Sequence, residues 1–400
     1  MITNEFIAKI EGHGSLKIDW SAGKVKLHID EGERLFEGIL VNRPAENASW
    51  ITPRICGVCP IAHNLASLSA IEDALGIKIT ETSQFLRDLM QTVQMMQSHV
   101  LHLFFLALPD YIRIDRGTEL AKKEPNAFKK ALFIKEISDE IASVVAGRNV
   151  HPTTTTIGGF HKIPSKKQLE NLLKKLEKGE KDAEWVPKYF SKLKYPKLKV
   201  DLELVAISGD EVVSNKGGKF LIKDYKQNIE EELRDYSTAK FGKLQGREIM
   251  VGALARLAHL EASLPSGSIA SKLDFSNPFH NNLAQAIEIE MFYKKAEKII
   301  KKLLSIEMDN KIIPASISDG AGIGAVEAPR GGLYHEIHVN QEGIVTYANI
   351  VTPTVQNLTS IEKSAQELLN QTKKLDNKER ERLLNMLVRS YDPCITCSVH

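Results

Sequence analysis

The sequence predicts an α+β fold that is mostly helical, with a long central helix bundle, small N-terminal antiparallel strands and peripheral β-hairpins. Three observations carry this prediction. Several long stretches repeat apolar residues at steps of three and four, residues 5–30 alternate apolar and polar positions, and two later stretches combine alternation with glycine-containing turns. All cysteines lie in the first and last parts of the chain, and these must meet if they share one centre. We therefore expect a single domain over residues 1–400.

The predicted helices follow from apolar periodicity and from end signals. Ser83 is expected to cap a long helix that continues through Leu103 and ends at Pro109. A shorter helix should begin at Pro60, which suits a first helical turn, and reach Gly76. Further helices are predicted over residues 128–146, 281–304, 360–373 and 377–390.

The predicted strands surround these helices. Residues 5–30 should form antiparallel strands with turns at Gly12–Gly14 and Ser21–Gly23. Residues 201–225 also look strand-like, with glycine-rich turns, and residues 331–352 predict a hairpin that turns at Glu342–Gly343.

Residues 162–200 are rich in lysine and glutamate. Because glutamate interleaves with lysine, a solvated surface helix pair or helical insertion is the favoured interpretation over a nucleic-acid patch. The whole chain carries 53 basic and 51 acidic residues, a formal charge of +2, which gives no reason to expect a nucleic-acid partner.

Composition and the N-terminus predict a cytoplasmic globular protein. Hydrophobic residues make up 42% of the 400 and charged residues 26%. The longest apolar run, near residues 100–108, is interrupted by His102 and is far shorter than the roughly 20 residues of a membrane span. The first residues lack the basic start and apolar core of a secretory signal.

The four cysteines form two Cys-x-x-Cys pairs, Cys56 with Cys59 and Cys394 with Cys397. In a cytoplasmic chain such pairs indicate metal or redox sites more readily than disulfides. Four thiolates suit zinc, iron–sulfur clusters, copper(I), or nickel with iron. Spacing alone leaves structural zinc as the leading alternative, followed by iron–sulfur clusters and redox disulfides. The great separation of the pairs in a large helical chain argues against a small zinc module.

The neighbours of the cysteines add to the metal interpretation. Gly57 permits a tight turn between the first two sulfurs, and Cys59 precedes a helix N-terminus that favours thiolate. His63 lies one turn further and can be a ligand or a hydrogen-bond donor to sulfur. Near the second pair, His400 offers a ring nitrogen and a terminal carboxylate.

Two motifs, Arg-Ile-Cys-Gly-Val-Cys-x-x-x-His and Asp-Pro-Cys-x-x-Cys-x-x-His, together resemble the signatures of NiFe-hydrogenase large subunits. The resemblance covers nearly the whole chain, because further segments stand between the motifs in the order of that family. They are Ile10–His13, Gly147–Pro152, Val251–Arg256, Glu327–Gly331 and Pro353–Asn357.

The resemblance implies a nickel–iron centre on the four cysteines. Cys56 and Cys394 would be terminal nickel ligands, while Cys59 and Cys397 would bridge nickel to an iron that carries cyanide and carbon monoxide. Such a centre splits H2 heterolytically, and a terminal thiolate such as Cys394 can take the proton.

The resemblance also assigns the surroundings of the centre. Arg330 would stand over the open metal position and, with Pro329 and Thr354, line the pocket of the diatomic ligands. His63 would donate to the sulfur of Cys59. Three further assignments concern protons and a second ion. Glu11 would pass protons to and from a nickel-bound cysteine, Asp392 would be an acid beside the site, and a magnesium ion would be held by Glu37, His400 and the backbone of Ile350.

One departure from the family pattern points to a branch. A second aspartate, found near the open position in many respiratory members, is replaced by Ser98. This resembles the cytoplasmic, cofactor-coupled branch, and most closely the alpha subunit of NAD(P)-linked hydrogenases, or sulfhydrogenases. The absence of a tail after His400 resembles the mature form, or a tail-less gene product, in a family processed by a maturation chaperone and protease.

If all four cysteines serve one centre, the chain has none left for an iron–sulfur chain. The resemblance therefore implies an iron–sulfur small subunit, with further iron–sulfur and flavin diaphorase subunits as partners. Ferredoxin-linked or deazaflavin-linked hydrogenases remain alternatives. So do a zinc-stabilised scaffold and a non-catalytic relative like the quinone-site subunit of respiratory complex I, although the latter predicts loss of the cysteines.

Overall fold

The computed structural model describes residues 2–260 and 268–400. The helices of these residues are α1 (Phe36–Leu40), α2 (Ala48–Ile51), α3 (Pro60–Ala74), α4 (Glu81–Leu101), α5 (Leu108–Ile112), α6 (Leu120–Lys123), α7 (Pro125–Ala146), α8 (Lys166–Phe190), α9 (Tyr225–Asn228), α10 (Ala253–Leu260), α11 (Asn281–Ser305), α12 (Pro353–Gln371), α13 (Asn377–Ser390) and α14 (Ile395–Ser398).

The strands form small sheets around the helices. They are β1 (Ile2–Phe6), β2 (Ser15–Asp19), β3 (Lys24–His28), β4 (Thr155–Thr156), β5 (Gly159–Phe160), β6 (Glu203–Ser208), β7 (Glu211–Ser214), β8 (Lys219–Leu221), β9 (Ile229–Arg234), β10 (Ser237–Leu244), β11 (Ile249–Met250), β12 (Gly320–Ala328), β13 (Gly331–Val339) and β14 (Val345–Val351). The sheet orders are β1-β2-β3, β4-β5, β11-β6-β7-β8, β10-β9 and β12-β13-β14, and only the β6–β11 pair is parallel among the described strands.

A bundle of α4, α7, α8 and α11 forms the centre of the molecule, and its inward faces belong to the largest hydrophobic core. In each of these helices residues three and four apart share one face and are buried together, and this periodicity predicted α4, α7 and α11. The N-terminal sheet packs on α12 through β3, as does β10. The predicted α+β architecture with a central bundle is confirmed.

The helix α3 lies directly on the three-stranded sheet β12-β13-β14. A Cβ atom on Gly320, Gly322 or Gly324 would come within 2.1 Å of a backbone carbonyl oxygen of α3, so no side chain separates strand from helix there. The partners on α3 are alanines spaced by one helical turn, residues 66, 70 and 74. This close contact fixes the helix that follows Cys59 relative to the hairpin that carries Arg330.

The long helix α4 differs from its prediction at both ends. Thr80, not Ser83, is the cap, because its side chain accepts a hydrogen bond from the Ser83 N–H at 3.2 Å. Pro109 does not end the helical path. A π-helical turn over His102–Ala107 precedes it, in which the Leu108 N–H bonds five residues back, and the path runs on into α5. Proline lacks an N–H and clashes with the carbonyl four residues earlier, and the wider turn accommodates both defects.

Three other predictions need correction or extension. The lysine-rich segment forms one helix, α8, rather than a pair, and its Leu169, Leu172 and Leu176 enter the main core while the charged face stays exposed. The helix α12 begins at Pro353, seven residues before the predicted start, since proline suits its first turn. Strand β12 was not predicted, and it pairs with the predicted hairpin β13–β14.

Candidate metal centre

The first cysteine pair lies in a tight loop between a 3-10 turn and α3. Cys56 has an extended backbone, and Cys59 is the cap residue of α3, with Pro60 in the first turn as predicted. The N–H groups of Val58 and Cys59 both donate to Cys56 Sγ at 3.3 Å. Backbone donors of this kind stabilise negative charge on the sulfur.

The second pair is held by the N-terminal segment of the chain. Cys394 caps the short helix α14, and the Ile395 N–H donates to the Glu11 carbonyl at 3.0 Å. Asp392, two residues earlier, has the left-handed φ of 53° that turns the chain into this loop. The parallel bridge between Glu11 and Cys394 brings residues near both ends of the chain together.

The four sulfurs form one buried cluster. Cys56 Sγ lies 3.3 Å from Cys394 Sγ, and Cys59 Sγ lies 3.7 Å from Cys397 Sγ. The sulfurs of Cys56, Cys59 and Cys397 are all within 4.8 Å of one another. All four are free thiols. A set of four soft donors around one point matches the ligand preference of zinc, nickel or iron.

The thiols do not titrate alike. Hydrogen bonds from the neighbouring thiols, that of Cys394 first, hold the pKa of Cys56 well below its usual range. Burial, by contrast, raises the pKa of Cys394 well above it. Like charges in a dry cavity oppose one another. Four thiolates can therefore coexist here only with cations among them, so the donor set fits a soft metal centre of high positive charge.

Glu11 contacts the cluster directly. Its Oε2 atom accepts from Cys394 Sγ at 2.9 Å and from the Thr396 N–H at 3.2 Å, and its other oxygen accepts from the Thr396 hydroxyl. The side chain is only half-buried. The predicted proton-carrying glutamate therefore links a buried thiol with the outside of the protein.

Arg330 and Asp392 form a buried ion pair beside the thiols. Arg330 Nη2 donates to Asp392 Oδ1 at 2.9 Å, and Nε donates to the Asp392 carbonyl at 2.5 Å. The remaining nitrogen, Nη1, is buried and has no hydrogen-bond partner. Burial lowers the pKa of Arg330, but Asp392 and the cysteines outweigh it and the net shift is upward. A permanently charged, buried donor beside the cysteines is thus left without a hydrogen-bond partner.

Thr354 and Pro329, the other predicted pocket residues, lie next to Cys394 and Arg330 respectively. The hydroxyl of Thr354, in the first turn of α12, accepts from the Cys394 N–H at 3.0 Å. Pro329 and Arg330 are the two residues of the turn between β12 and β13. Ser98, which by the resemblance replaces a second aspartate of many respiratory members, is buried, and its hydroxyl has no partner.

His63 has a different sulfur partner from the one predicted. Its Nε2 atom lies 3.1 Å from Cys397 Sγ, whereas we expected Cys59. Cys59 is a cap residue with φ −119° and ψ 37°, so its side chain does not follow the helical face on which His63 lies. Burial lowers the pKa of His63 to about 3, which keeps the ring neutral.

Two residues that complete this region were not predicted. His335 Nε2 lies 3.2 Å from His63 Nδ1 and so fixes the orientation of that ring. Arg34 Nη2 donates to the Ile55 carbonyl at 2.7 Å and also to the Thr396 carbonyl, which joins the two cysteine loops. His335 lies in the stretch that predicted the hairpin, but no local signal in the sequence marked His335 or Arg34 as part of this region.

A second candidate ion site lies next to the cysteines. His400 Nε2 is 2.8 Å from the Ile350 carbonyl oxygen and 3.1 Å from Glu37 Oε1, so the three predicted ligands do converge. Burial raises the pKa of Glu37, but the hydrogen bond and charge of His400 outweigh it and the pKa falls. His400 Nδ1 is 2.8 Å from the Cys397 carbonyl oxygen, which couples this site to the thiol cluster.

Within residues 2–260 and 268–400, no helix combines the length and apolar character needed to cross a membrane. A cleft of about 640 Å³ between α3, α4 and β12 is lined by none of the cysteines. The cysteine residues themselves are only 1–5% exposed, so the thiols lie in the protein interior.

The fold and the thiol cluster together define a protein with a buried four-cysteine candidate metal centre. A family model described as nickel-dependent hydrogenase matches residues 34–132 and 211–400, which include both cysteine pairs. The chain therefore belongs to the nickel-dependent hydrogenase family, and within it to the catalytic subunits of NiFe hydrogenases.

Known proteins of this family resemble the chain over its whole length. The alpha subunit of sulfhydrogenase 1 from Pyrococcus furiosus is 35% identical over 100% of this chain and 97% of that protein. The beta subunit of the NAD-reducing hydrogenase HoxS from Cupriavidus necator is 26% identical over 98% of this chain and 93% of that protein. A solved NAD+-reducing NiFe hydrogenase in the H2-reduced state has a TM-score of 0.84 and 24% identity, covering 100% of this chain and 99% of the other.

Proposed function

We propose that this chain is the catalytic subunit of an enzyme that reversibly splits H2 into protons and electrons at the four-thiol cluster. The main support for this proposal is that Cys394 Sγ contacts both Cys56 Sγ, at 3.3 Å, and the Glu11 carboxylate, at 2.9 Å. A thiol that contacts the other thiols of the cluster on one side and an acid–base group on the other can pass a proton away from the centre.

The donor set fits a nickel–iron centre. In the proposal Cys56 and Cys394 would hold nickel as terminal ligands, and Cys59 and Cys397 would be shared between nickel and an iron that would carry cyanide and carbon monoxide. The unpartnered Nη1 of Arg330 supports this assignment, because a buried N–H donor is costly without an acceptor and polar diatomic ligands supply one. When bound, the metals would supply a Lewis-acidic, redox-active centre that polarises H2.

The residues of the chain then perform the proton steps. Cys394 Sγ takes the proton, and Glu11 Oε2 receives it at hydrogen-bond distance. Arg330 is always charged, and its pairing with Asp392 holds both groups in fixed positions next to the thiols. Thr354 and Pro329 would line the pocket of the diatomic ligands, and His63 would orient the Cys397 sulfur.

A magnesium ion is the second proposed metal. The Glu37 carboxylate, the Ile350 carbonyl and the His400 ring point towards one another, and the two oxygen donors suit a hard cation that retains several waters. Because His400 also contacts the Cys397 carbonyl, this ion would hold the second cysteine loop in place.

Infrared absorption and elemental analysis of one purified sample test the proposal. We expect sharp bands in the cyanide and carbonyl region, about one nickel and one magnesium per chain, and iron beyond that of any partner clusters. Protein produced without nickel, with an unchanged fold, is the control for the metal count and should contain no nickel, while any bands that it keeps report the iron ligands alone. Zinc in place of nickel, with no such bands in nickel-replete protein, would favour the scaffold alternative and reject the proposal.

Electrons are proposed to leave through an iron–sulfur small subunit. Three exposed apolar residues lie on the segment that leads into Cys56: Leu35, Ile39 and Trp50 are 63%, 42% and 39% exposed, and α1 packs against α2. Exposed apolar residues that form a patch are typical of protein interfaces. The patch, defined by these three residues, is the proposed docking surface, since a partner bound there sits beside the first cysteine loop.

Substitution of the patch should release the partner without disturbing the metal. We expect Trp50→Lys to weaken association with the co-produced small subunit by at least about tenfold, because an aromatic anchor that the interface would bury is replaced by a charge. The measurement is iron–sulfur absorbance per chain after affinity purification. Leu132→Lys on α7, where the leucine is 44% exposed, is the matched control and should retain the partner. Equal retention by both variants would remove the patch from the interface.

The proposed final acceptor is NAD(P), reached through further iron–sulfur and flavin subunits. The support is the similarity to a subunit of an NAD-reducing hydrogenase at 26% identity, together with the resemblance to the sulfhydrogenase alpha subunit. Ferredoxin-linked and deazaflavin-linked acceptors are the alternatives. Comparing the rates of H2-dependent reduction of each acceptor by the purified complex distinguishes them.

A further inference from the structure

Arg256, on α10, is a buried cation whose five N–H groups are all used. Its Nε and Nη2 atoms donate to the two carboxylate oxygens of Glu288, each at 2.7 Å, and Nη1 donates to Glu327 Oε2 at 2.7 Å. The last two N–H groups donate to the carbonyls of Ala328 and Pro329, each at 3.0 Å. A guanidinium has five donors, so none remains for another ligand.

The two carbonyls belong to the turn that carries Arg330. Ala328 pairs with Gly331, which leaves Pro329 and Arg330 as a two-residue connection between β12 and β13. The turn types that usually close such hairpins need a positive φ at the first central residue, which proline cannot adopt. Strand geometry alone therefore does not favour this turn, and support from outside is required.

The segment that contains Arg256 supports the turn from a second direction. A Cβ atom on Gly331, which has φ 133°, would come within 2.5 Å of two side-chain atoms of Val251. A Cβ atom on Gly252 would lie 3.1 Å from the Arg330 carbonyl oxygen. Residues 251–256 thus press against the backbone on one side of the turn while the Arg256 guanidinium holds its carbonyls.

The acidic partners of Arg256 are themselves anchored to separate elements. Glu288 on α11 also lies 2.8 Å from His99 Nε2 on α4, and Glu327 accepts from the Ile207 N–H of β6 at 2.6 Å. Burial would raise the pKa of Glu288, but the charge of Arg256 outweighs it and lowers that pKa to about 2. The carboxylate is therefore ionised, and the guanidinium is held by charge as well as by geometry.

We infer that Arg256 is a positioning residue that fixes the Pro329–Arg330 turn over the thiol cluster, and so sets where the Arg330 guanidinium stands relative to the metals. The inference rests on the proposed function, because it assigns Arg256 to the wall of the same site. Arg256 donates only to Glu288, Glu327 and the two turn carbonyls, and it reaches the site through the Pro329–Arg330 turn.

Arg256→Lys tests the inference because lysine keeps the charge opposite Glu288 but cannot hold two carboxylates and two carbonyls in a planar fork. In the purified complex we expect kcat for H2 oxidation to fall about 10- to 100-fold with little change in KM, as small misplacements of a positioned group do. The cyanide and carbonyl infrared bands should shift, because Arg330 changes its distance to those ligands.

Arg87→Lys is the matched control. Arg87 is also buried, pairs with both oxygens of Glu72 at 2.6 and 2.7 Å, and donates to the Thr156 carbonyl at 3.1 Å, but it does not contact the turn. Both variants should lose comparable thermal stability, whereas kcat and the infrared bands of Arg87→Lys should equal those of the wild type. A shift of the bands in Arg256→Lys alone would separate positioning from general destabilisation.

The outcomes distinguish the inference from the proposed function. Wild-type protein with the bands, together with unshifted bands and wild-type kcat in Arg256→Lys, would overturn the inference only. Absence of the bands in nickel-replete wild-type protein would overturn the proposed function itself. If Arg256→Lys does not fold, Glu327→Gln is measured, since it keeps the Glu288 pair and removes one charged acceptor. It should shift the bands in a smaller degree, and unshifted bands would overturn the inference.

Discussion

Replacing Cys394 by serine should abolish H2 oxidation and hydrogen–deuterium exchange while leaving a folded chain. Serine has nearly the shape of cysteine, so the free energy of unfolding should fall by only about 1 kcal/mol, as for a typical point substitution. Its hydroxyl, however, is a hard donor that stays protonated, whereas soft metals prefer thiolate. The variant should therefore lose nickel as well as the group that hands a proton to Glu11.

The measurement combines nickel content, thermal denaturation and H2-dependent dye reduction on the same preparation. Ser398→Ala is the control, since its hydroxyl donates to the Ile395 carbonyl at 2.7 Å within the same short helix but does not touch the sulfurs. It should keep nickel and activity. Full activity in Cys394→Ser would remove this sulfur from the proposed terminal ligands.

Replacing Glu11 by glutamine should slow proton transfer far more than it disturbs the metals. Glutamine keeps the oxygen that accepts from Cys394 and Thr396, but it cannot take up or release a proton at working pH. General acid–base groups contribute about 10²–10⁴-fold, so we expect hydrogen–deuterium exchange and H2 oxidation to fall by that factor. Nickel content and infrared bands should remain close to wild type.

Two further variants sharpen this experiment. Glu11→Asp keeps a carboxylate but shortens its reach to Cys394 Sγ, so it should retain part of the exchange rate. Glu33→Gln neutralises an exposed carboxylate on the same N-terminal segment and should behave as the wild type. If Glu11→Gln exchanges as fast as Glu33→Gln, another group carries the proton.

The parts of the site that could be predicted are the closely spaced cysteine pairs and the residues that the family resemblance assigns. The two cysteine pairs, and the Glu37 and His400 side chains with the Ile350 carbonyl, were expected together and do converge. The resemblance supplied the long-range pairings in these cases. Their chemical roles stay predictions that the experiments above address.

The parts that could not be predicted depend on contacts between distant segments. Arg34 joins the two cysteine loops through backbone carbonyls, which carry no side-chain signal in the sequence. His335 orients His63 across 272 positions of the chain, and nothing local distinguishes it from a buried strand residue. The change of His63 partner from Cys59 to Cys397 depends on the backbone of a single cap residue, which periodicity does not report.

The same limit explains the errors in the helices. Local rules placed a helix end at Pro109, but tertiary packing keeps the path helical and inserts a π-helical turn instead. The lysine-rich composition of α8 described its exposed face and concealed the apolar stripe that enters the core. In each case the burial of an apolar face against a distant element outweighs a local preference.

The pairing of Glu11 with Cys394 has a consequence for the order in which the protein folds. This contact spans 383 positions, and the contact between Cys56 and Cys394 spans 338. Closing such long loops is slow compared with forming helices, because the chain loses conformational entropy before the contact contributes any stabilising free energy. A nascent chain on the ribosome can complete the bundle first, and the four thiols come together only when residues 394–397 dock.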